Sequence, residues 1–323
     1  MKQILMSKIA RKILKDCLDV SKGEELLIIT EPEKMTIATS IATIAYEMSV
    51  EPVISVMIPR ENDSQEPPAT IAEAMKASDA FIAVVGKSIT HTYAVKNAIT
   101  NGSRGIVLTQ FSEDMMIHGG MEADFRALAP QCKAIAKELE NSEIIKLTTP
   151  YGTDLTFSAK GRRGNALYCM VDKGEFSTAP TIEANVSPLE NTANGKIVVD
   201  ASIPYLGIGL LEELIHIDVR DGKIVSIAGG KQAEILIEDL KAKEDENVYN
   251  IAELGVGLNP KCSFVGLMLE DEGVYGTVHI GIGTNITLGG VVKAKCHYDL
   301  IMTKPTIVAD GKLLLKDGEV MIE

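Results

Sequence analysis

The stretch LLIITEPEKMTIATSIATIAYEMSVEPVISVMI (residues 26–58) carries two hydrophobic periods in succession. Leu26–Thr30 is a short unbroken apolar run of strand length. Lys34–Met48 then repeats apolar residues at helical spacing, and Pro52–Ile58 returns to strand length. A helix between two strands buried on both faces is the repeating unit of a parallel sheet.

Working outward, the pattern holds in both directions. Ile4, Leu5, Ile9, Ile13, Leu14 and Leu18 recur at helical spacing and stop at Ser21-Lys22-Gly23. Downstream, the series predicts a helix over Thr70–Lys76, a strand over Ala80–Val85, a helix over Thr90–Thr100 and a strand over Gly105–Thr109. Helical stretches near Glu113–Ile117 and Ala123–Leu139 follow. Near Asn141 the texture changes to hairpins. Ile145–Thr148 and Leu155–Ala159 flank the turn Tyr151-Gly152-Thr153-Asp154, while Asp221-Gly222 and Asp310-Gly311 sit between alternating runs. One helix, Lys231–Ala242, interrupts this half. The reading is an α/β chain: an N-terminal doubly wound parallel-sheet domain over residues 1–142, then a β-rich α+β C-terminal domain over 143–323.

The 323 residues hold 32 Lys+Arg against 45 Asp+Glu, a balance of 32 − 45 = −13, with 46% hydrophobic residues and 4% aromatics. That hydrophobic fraction excludes intrinsic disorder, and an acidic chain poor in aromatics predicts no nucleic-acid partner. Cys17, Cys132, Cys169, Cys262 and Cys296 stand singly with no CxxC pair, so they read as buried small hydrophobes in a reducing compartment. Lys and Arg interrupt the apolar residues of MKQILMSKIARK (1–12), which fits neither a secretory signal nor a membrane span. The expectation is a cytoplasmic protein with no membrane partner.

Gly207-Ile208-Gly209, Gly255-Val256-Gly257 and Gly281-Ile282-Gly283 each resemble the start of a dinucleotide loop, but all lack the third glycine and lie outside the βα-alternating half. They read as places where backbones approach closely within a sheet. No Walker-type loop and no GxSxG elbow occurs.

Of five histidines, His91, His118 and His216 read as structural, with His91 expected inside a helix. In Val291–Leu300 the period of two puts Lys293, Lys295, His297 and Asp299 on one face, the last two ~6.5–7 Å apart along the strand. That separation suits a shared cation. In Gly276–Gly283, His279 is flanked by Gly281 and Gly283 on its own face, leaving room for a ligand. Further ligands would be carboxylates. Glu175 lies in GEFSTAP (174–180), expected to be an ordered loop. Glu253 is one charge within the uncharged NIAELGVGLNP (250–260), which costs several kcal/mol unless paired or metal-bound. Glu270-Asp271-Glu272 reads as a solvated turn, the alternative being a place just behind the metal ligands.

These segments resemble the aminopeptidase T / aminopeptidase S metallopeptidase family. The likeness starts in ARKILKDCLDVSKGEELLIIT (10–30), continues through YGTDLTFSAKGRRG (151–164) and GEFSTAP, and is clearest in IAELGVGLNP, LEDEGVYGTVHIGIG (269–283) and CHYDLIM (296–302). The resemblance implies metal ligands at Glu175, Glu253, His279, His297 and Asp299, with Glu175 also a candidate general base. It further implies two divalent cations (Zn, Co or Mn), a small peptide substrate cleaved at its N-terminal residue by a metal-activated water, and a homodimer. Two features depart from that family: Ile286 stands where it carries a tyrosine, and the chain is shorter. The shorter length is similar to the iron-dependent 2,5-dihydroxypyridine 5,6-dioxygenases of the same superfamily. That likeness implies one Fe(II) on two histidines and an aspartate, of which His297 and Asp299 supply two. A metal-binding homologue without activity is the third possibility.

Overall fold

The computed structural model describes residues 2–322, and its chain divides into two compact units. The first comprises Met1–Arg126 and Leu167–Pro180, the second Ala127–Ala166 and Thr181–Glu323.

In the first unit Glu25–Thr30, Glu51–Val56, Ala80–Val85 and Arg104–Thr109 form parallel strands. The Glu25 strand lies between the Glu51 and Ala80 strands, with the Arg104 strand beyond Ala80. The chain therefore winds outward from its first strand in one direction and then in the other, which is the doubly wound arrangement. Leu27, Ile29, Phe81, Ala83, Val85 and Val107 pack with Ile71, Met75, Ala94, Val95 and Ala98 of helices Ala69–Ala77 and Tyr93–Thr100. The alternate residues Leu26, Ile28, Ile82, Val84, Ile106 and Leu108 face the other way and are equally buried, which is why these strands read as unbroken apolar runs. The first helix, Lys2–Lys12, runs on into a wider turn over Ile13–Cys17 and buries Met6, Ile9, Ala10, Ile13 and Leu14.

Three local expectations are corrected. His91 lies in the turn before Tyr93–Thr100, because the Thr92 hydroxyl caps that helix by accepting from the Val95 N–H. Glu113–Ile117 forms turns, with Ser112 Oγ accepting from the Met115 N–H, too short a run to nucleate a helix. GEFSTAP is no mere loop: Phe176–Thr178 adds a fifth parallel strand beside Arg104–Thr109.

The expected boundary at residue 142 also gives way. Helix Phe125–Asn141 lies almost wholly in the second unit, where Cys132 Sγ donates to the Glu183 carbonyl and Gly164 lies against the Ala136 carbonyl. The chain then returns to the first sheet through Leu167–Pro180 before re-entering the second unit. Such a return is made by pairing distant in sequence, and no local period announces it.

The second unit holds two antiparallel sheets. One is built from the expected hairpins: Ile144–Thr148 pairs with Asp154–Ser158, Ile215–Arg220 with Lys223–Ala228, and Thr306–Ala309 with Lys312–Lys316. Asp221-Gly222 and Asp310-Gly311 make the turns with all four φ angles positive, a conformation that suits Asp and Gly. The other sheet places four strands side by side in the order His297–Thr303, Thr277–Gly283, Ile251–Gly257 and Glu183–Val186. Helix Lys231–Ala242 is as expected. All five cysteines are buried thiols, none of them in a disulfide. No helix among the described residues is long and apolar enough to cross a membrane.

Candidate metal centre

Antiparallel register decides which side chains meet. Glu183 stands opposite Gly257, His279 opposite Gly255, Glu253 opposite Gly281, Asp299 opposite Gly281, and His297 opposite Gly283. Each donor thus faces a glycine on a neighbouring strand. A Cβ at position 255 would lie 2.0 Å from His279 Nε2, and one at 281 would lie 2.9 Å from the His297 ring. The two G-x-G motifs of this sheet are therefore places where an imidazole lies across the neighbouring backbone. The room expected for a ligand beside His279 is taken up at Gly281 by Glu253 and the His297 ring and at Gly283 by the Cys296 backbone.

Two groups of donor atoms converge. Glu183, Glu253 and His279 form one, Glu253, His297 and Asp299 the other, the atoms of each within 4.8 Å of one another. Glu253 belongs to both. The Asn165 side-chain amide donates to Asn185 Oδ1 at 2.8 Å, and Asn185 Nδ2 donates to Glu183 Oε1 at 2.8 Å. That leaves Glu183 Oε2 without a hydrogen bond, 3.4 Å from His279 Nε2. His297 Nδ1 lies 2.7 Å from the Thr284 carbonyl, which can only accept, so this nitrogen carries the proton. In the neutral ring Nε2 then presents a lone pair, 3.0 Å from Glu253 Oε2 and 3.4 Å from Asp299 Oδ1. Asp299 Oδ1 and His279 Nδ1 are buried without hydrogen-bond partners.

The charges agree with this inventory. Glu183, Glu253, Glu272 and Asp299 surround two imidazoles, all buried or nearly so. Burial, reinforced by Glu253 and Asp299 against the pull of His279, pushes Glu183 up to about 7. Burial and the neighbouring charges of Asp299 and Glu183 raise Glu272 well above the usual carboxyl range. Burial would lower both histidines, but the surrounding carboxylates outweigh it, bringing His279 up to about 9 and His297 well above its ordinary value. Burial works against ionisation of Glu253 and Asp299 too, yet the imidazoles hold both below the usual range. The centre collects positive charge. Protons supply it in one state, and a divalent cation can replace them, because the deprotonated His297 Nε2 turns a lone pair toward the oxygens of Glu253 and Asp299. The residues fit a cation held by imidazole and carboxylate.

The structure brings together Glu253, His279, His297 and Asp299, the sequence candidates of this sheet. Glu175 is not among them. It is exposed in the first unit, where its Oε2 accepts from the Asp172 N–H at 3.0 Å. Glu183 supplies a carboxylate instead, from TIEANV (181–186), and it carries the signal that singled out Glu253: one charge within an otherwise uncharged run. Glu270, Asp271 and Glu272 are buried, not solvated. Asp271 accepts from the Val265 and Gly266 N–H groups and from Ser202 Oγ, pinning its loop, and Glu272 lies at the centre itself. Ile286 is exposed, and His216 is exposed on its strand.

Comparison with known proteins gives the chain its family and confirms its fold. The 2,5-dihydroxypyridine 5,6-dioxygenase of Pseudomonas putida KT2440 is 30% identical over 146 residues, 42% of this chain and 41% of that protein. The match thus spans less than half of the curated relative. The solved structure of 2,5-dihydroxypyridine dioxygenase from P. putida KT2440 superposes with a TM-score of 0.86 at 18% identity, covering 99% of this chain and 98% of that one. AmpT from Thermus thermophilus superposes with a TM-score of 0.71 at 16% identity, covering 100% of both chains. These structures establish the mixed α/β fold expected from the sequence, and AmpT supports the aminopeptidase T resemblance at the level of fold. The family model described as NicX, 2,5-dihydroxypyridine 5,6-dioxygenase, matches residues 5–322, and the chain belongs to that family.

Proposed function

We propose that this protein is a metal-dependent dioxygenase that opens the ring of a hydroxylated pyridine, with Glu253, His297 and Asp299 holding one iron. The observation that carries the reading is the convergence of Glu253, His297 and Asp299 on one point, with His297 Nε2 aimed at both carboxylates. It occurs in a chain whose family is named for a dioxygenase of 2,5-dihydroxypyridine. Iron held there would supply the redox chemistry that joins dioxygen to the ring. The protein's part is to fix the donors. Thr284 sets the His297 tautomer, Tyr205 occupies the other oxygen of Asp299, and the glycines opposite let the imidazoles lie flat on the sheet. The third donor beside His297 and Asp299 is a glutamate, so this group has one histidine and two carboxylates where a second histidine was expected.

A second reading, hydrolysis at the N-terminal residue of a peptide, is favoured by the second donor group. Glu183, Glu253 and His279 would take a further cation, with Glu253 shared. Two cations would lower the pKa of a bound water and polarise a carbonyl. Glu175 has no part in it.

The test is metal quantification on anaerobically purified protein, followed by assays of both activities. One iron per chain with oxygen uptake on 2,5-dihydroxypyridine supports the dioxygenase. Two redox-inert cations with release of the amine from a leucyl-anilide supports the peptidase. Protein that retains and binds no divalent cation sinks both.

A further inference from the structure

Tyr205 brings a phenol hydroxyl to the donor groups described above. Its hydroxyl lies 2.6 Å from Asp299 Oδ2 and 3.1 Å from Glu272 Oε1, and the residue is buried. The ring is held from behind. Its centroid is 4.9 Å from that of Tyr298, whose own hydroxyl donates to Asp239 Oδ2 on helix Lys231–Ala242 at 2.9 Å. The backbone is held as well: the Tyr205 N–H donates to the Ile203 carbonyl, and the Tyr205 carbonyl accepts from the Ile208 N–H. Leu206, Gly207 and Gly209 all have positive φ, so the third G-x-G motif forms the tight turn that presents Tyr205 to the sheet.

We infer that Tyr205 is a positioning residue for the metal centre. By donating to Asp299 Oδ2, it fixes the carboxylate so that Oδ1, which has no hydrogen-bond partner, faces His297 and a cation. A phenol has one proton, and the shorter contact assigns it to Asp299. The inference rests on the metal-centre reading. It applies to either reaction, because both use Asp299.

The test compares metal affinity in wild type, Tyr205→Phe and Glu272→Gln by calorimetric titration of the metal-free proteins with Co(II). The cobalt absorption bands report the ligand geometry independently of turnover. Loss of an outer partner of a metal ligand weakens affinity by ~10–100-fold. That loss, with shifted cobalt bands and an unchanged metal-free melting temperature, is the result expected for Tyr205→Phe. Glu272→Gln keeps the Tyr205 donor to Asp299 and is expected to lose at least threefold less affinity than Tyr205→Phe. Equal affinity and identical bands in Tyr205→Phe overturn the inference. So does failure of Tyr205→Phe to fold without metal, which makes the residue structural, and so does an equal loss in Glu272→Gln, which moves the role to Glu272. Wild-type protein that binds no cobalt overturns the metal-centre reading itself, and the inference with it.

Discussion

Gly255 and His279 stand opposite each other on adjacent strands, and the imidazole occupies the space that a side chain at 255 would need. The pair links a sequence motif to a chemical centre. A glycine that looks like part of a nucleotide loop is there because a ring lies across its Cα.

Gly255→Ala tests that link directly. Its backbone is ordinary strand, so alanine brings no φ strain, and the cost falls on the ring. His279 must move, and the group it shares with Glu183 and Glu253 should lose its cation while circular dichroism stays unchanged. Elemental analysis with undiminished metal content would show that His279 binds none.

His297→Ala and Asp299→Ala should each lose both metal and activity, because they remove donors from the same group. Glu175→Gln should change neither, since that carboxylate is exposed and serves a local turn. Full metal occupancy in His297→Ala would overturn this donor group, and metal loss in Glu175→Gln would return Glu175 to the ligands, as the family resemblance implies.

The first unit makes a prediction about pH. Burial is the largest influence on Glu24 and raises its pKa. It is outweighed by hydrogen bonds from Arg104 and the Ser21 N–H, together with the Arg104 charge, so the folded-state value lies below the ordinary one. Arg104 is itself buried and also donates to the Leu18 and Asp19 carbonyls. The contribution of Glu24 to stability is therefore fully present above its unfolded-state pKa and is lost as pH falls through the folded value. Glu24→Gln should cost about 1–3 kcal/mol in urea unfolding at pH 7, and much less once both states are protonated. A cost independent of pH would place the effect in packing.

Gly105→Ala probes the parallel sheet. A Cβ there would lie 2.0 Å from the Phe81 ring on the neighbouring strand, within the core. Overpacking of this kind costs about 1–3 kcal/mol. Thermal unfolding should show the loss, and an unchanged melting temperature would mean that Phe81 has a second rotamer to move into.

Much of the fold was legible because the interactions behind it are local. Ala80–Val85 and Lys231–Ala242 have the limits that their periods predict, and the Asp-Gly turns form where the chemistry of positive φ puts them. The candidate site was legible in part. Glu253, His279, His297 and Asp299 stood out because a charge or imidazole in an apolar strand needs a partner. Glu183 carried the same signal, but Glu175 drew the assignment that its resemblance implied. Glu272 sits in an acidic run that reads as solvated, and its burial comes from contacts remote in sequence.

The sequence by itself determined the alternation of strand and helix, the hairpins and the chemical types of the donors, because each is written in spacings of a few residues. Tertiary structure decided the rest. It set which strands are neighbours, the interleaving that returns Leu167–Pro180 to the first sheet, and the register that puts every donor opposite a glycine. The physical reason is that a period of two fixes the face on which a side chain points. Only pairing with a distant strand fixes what it meets there.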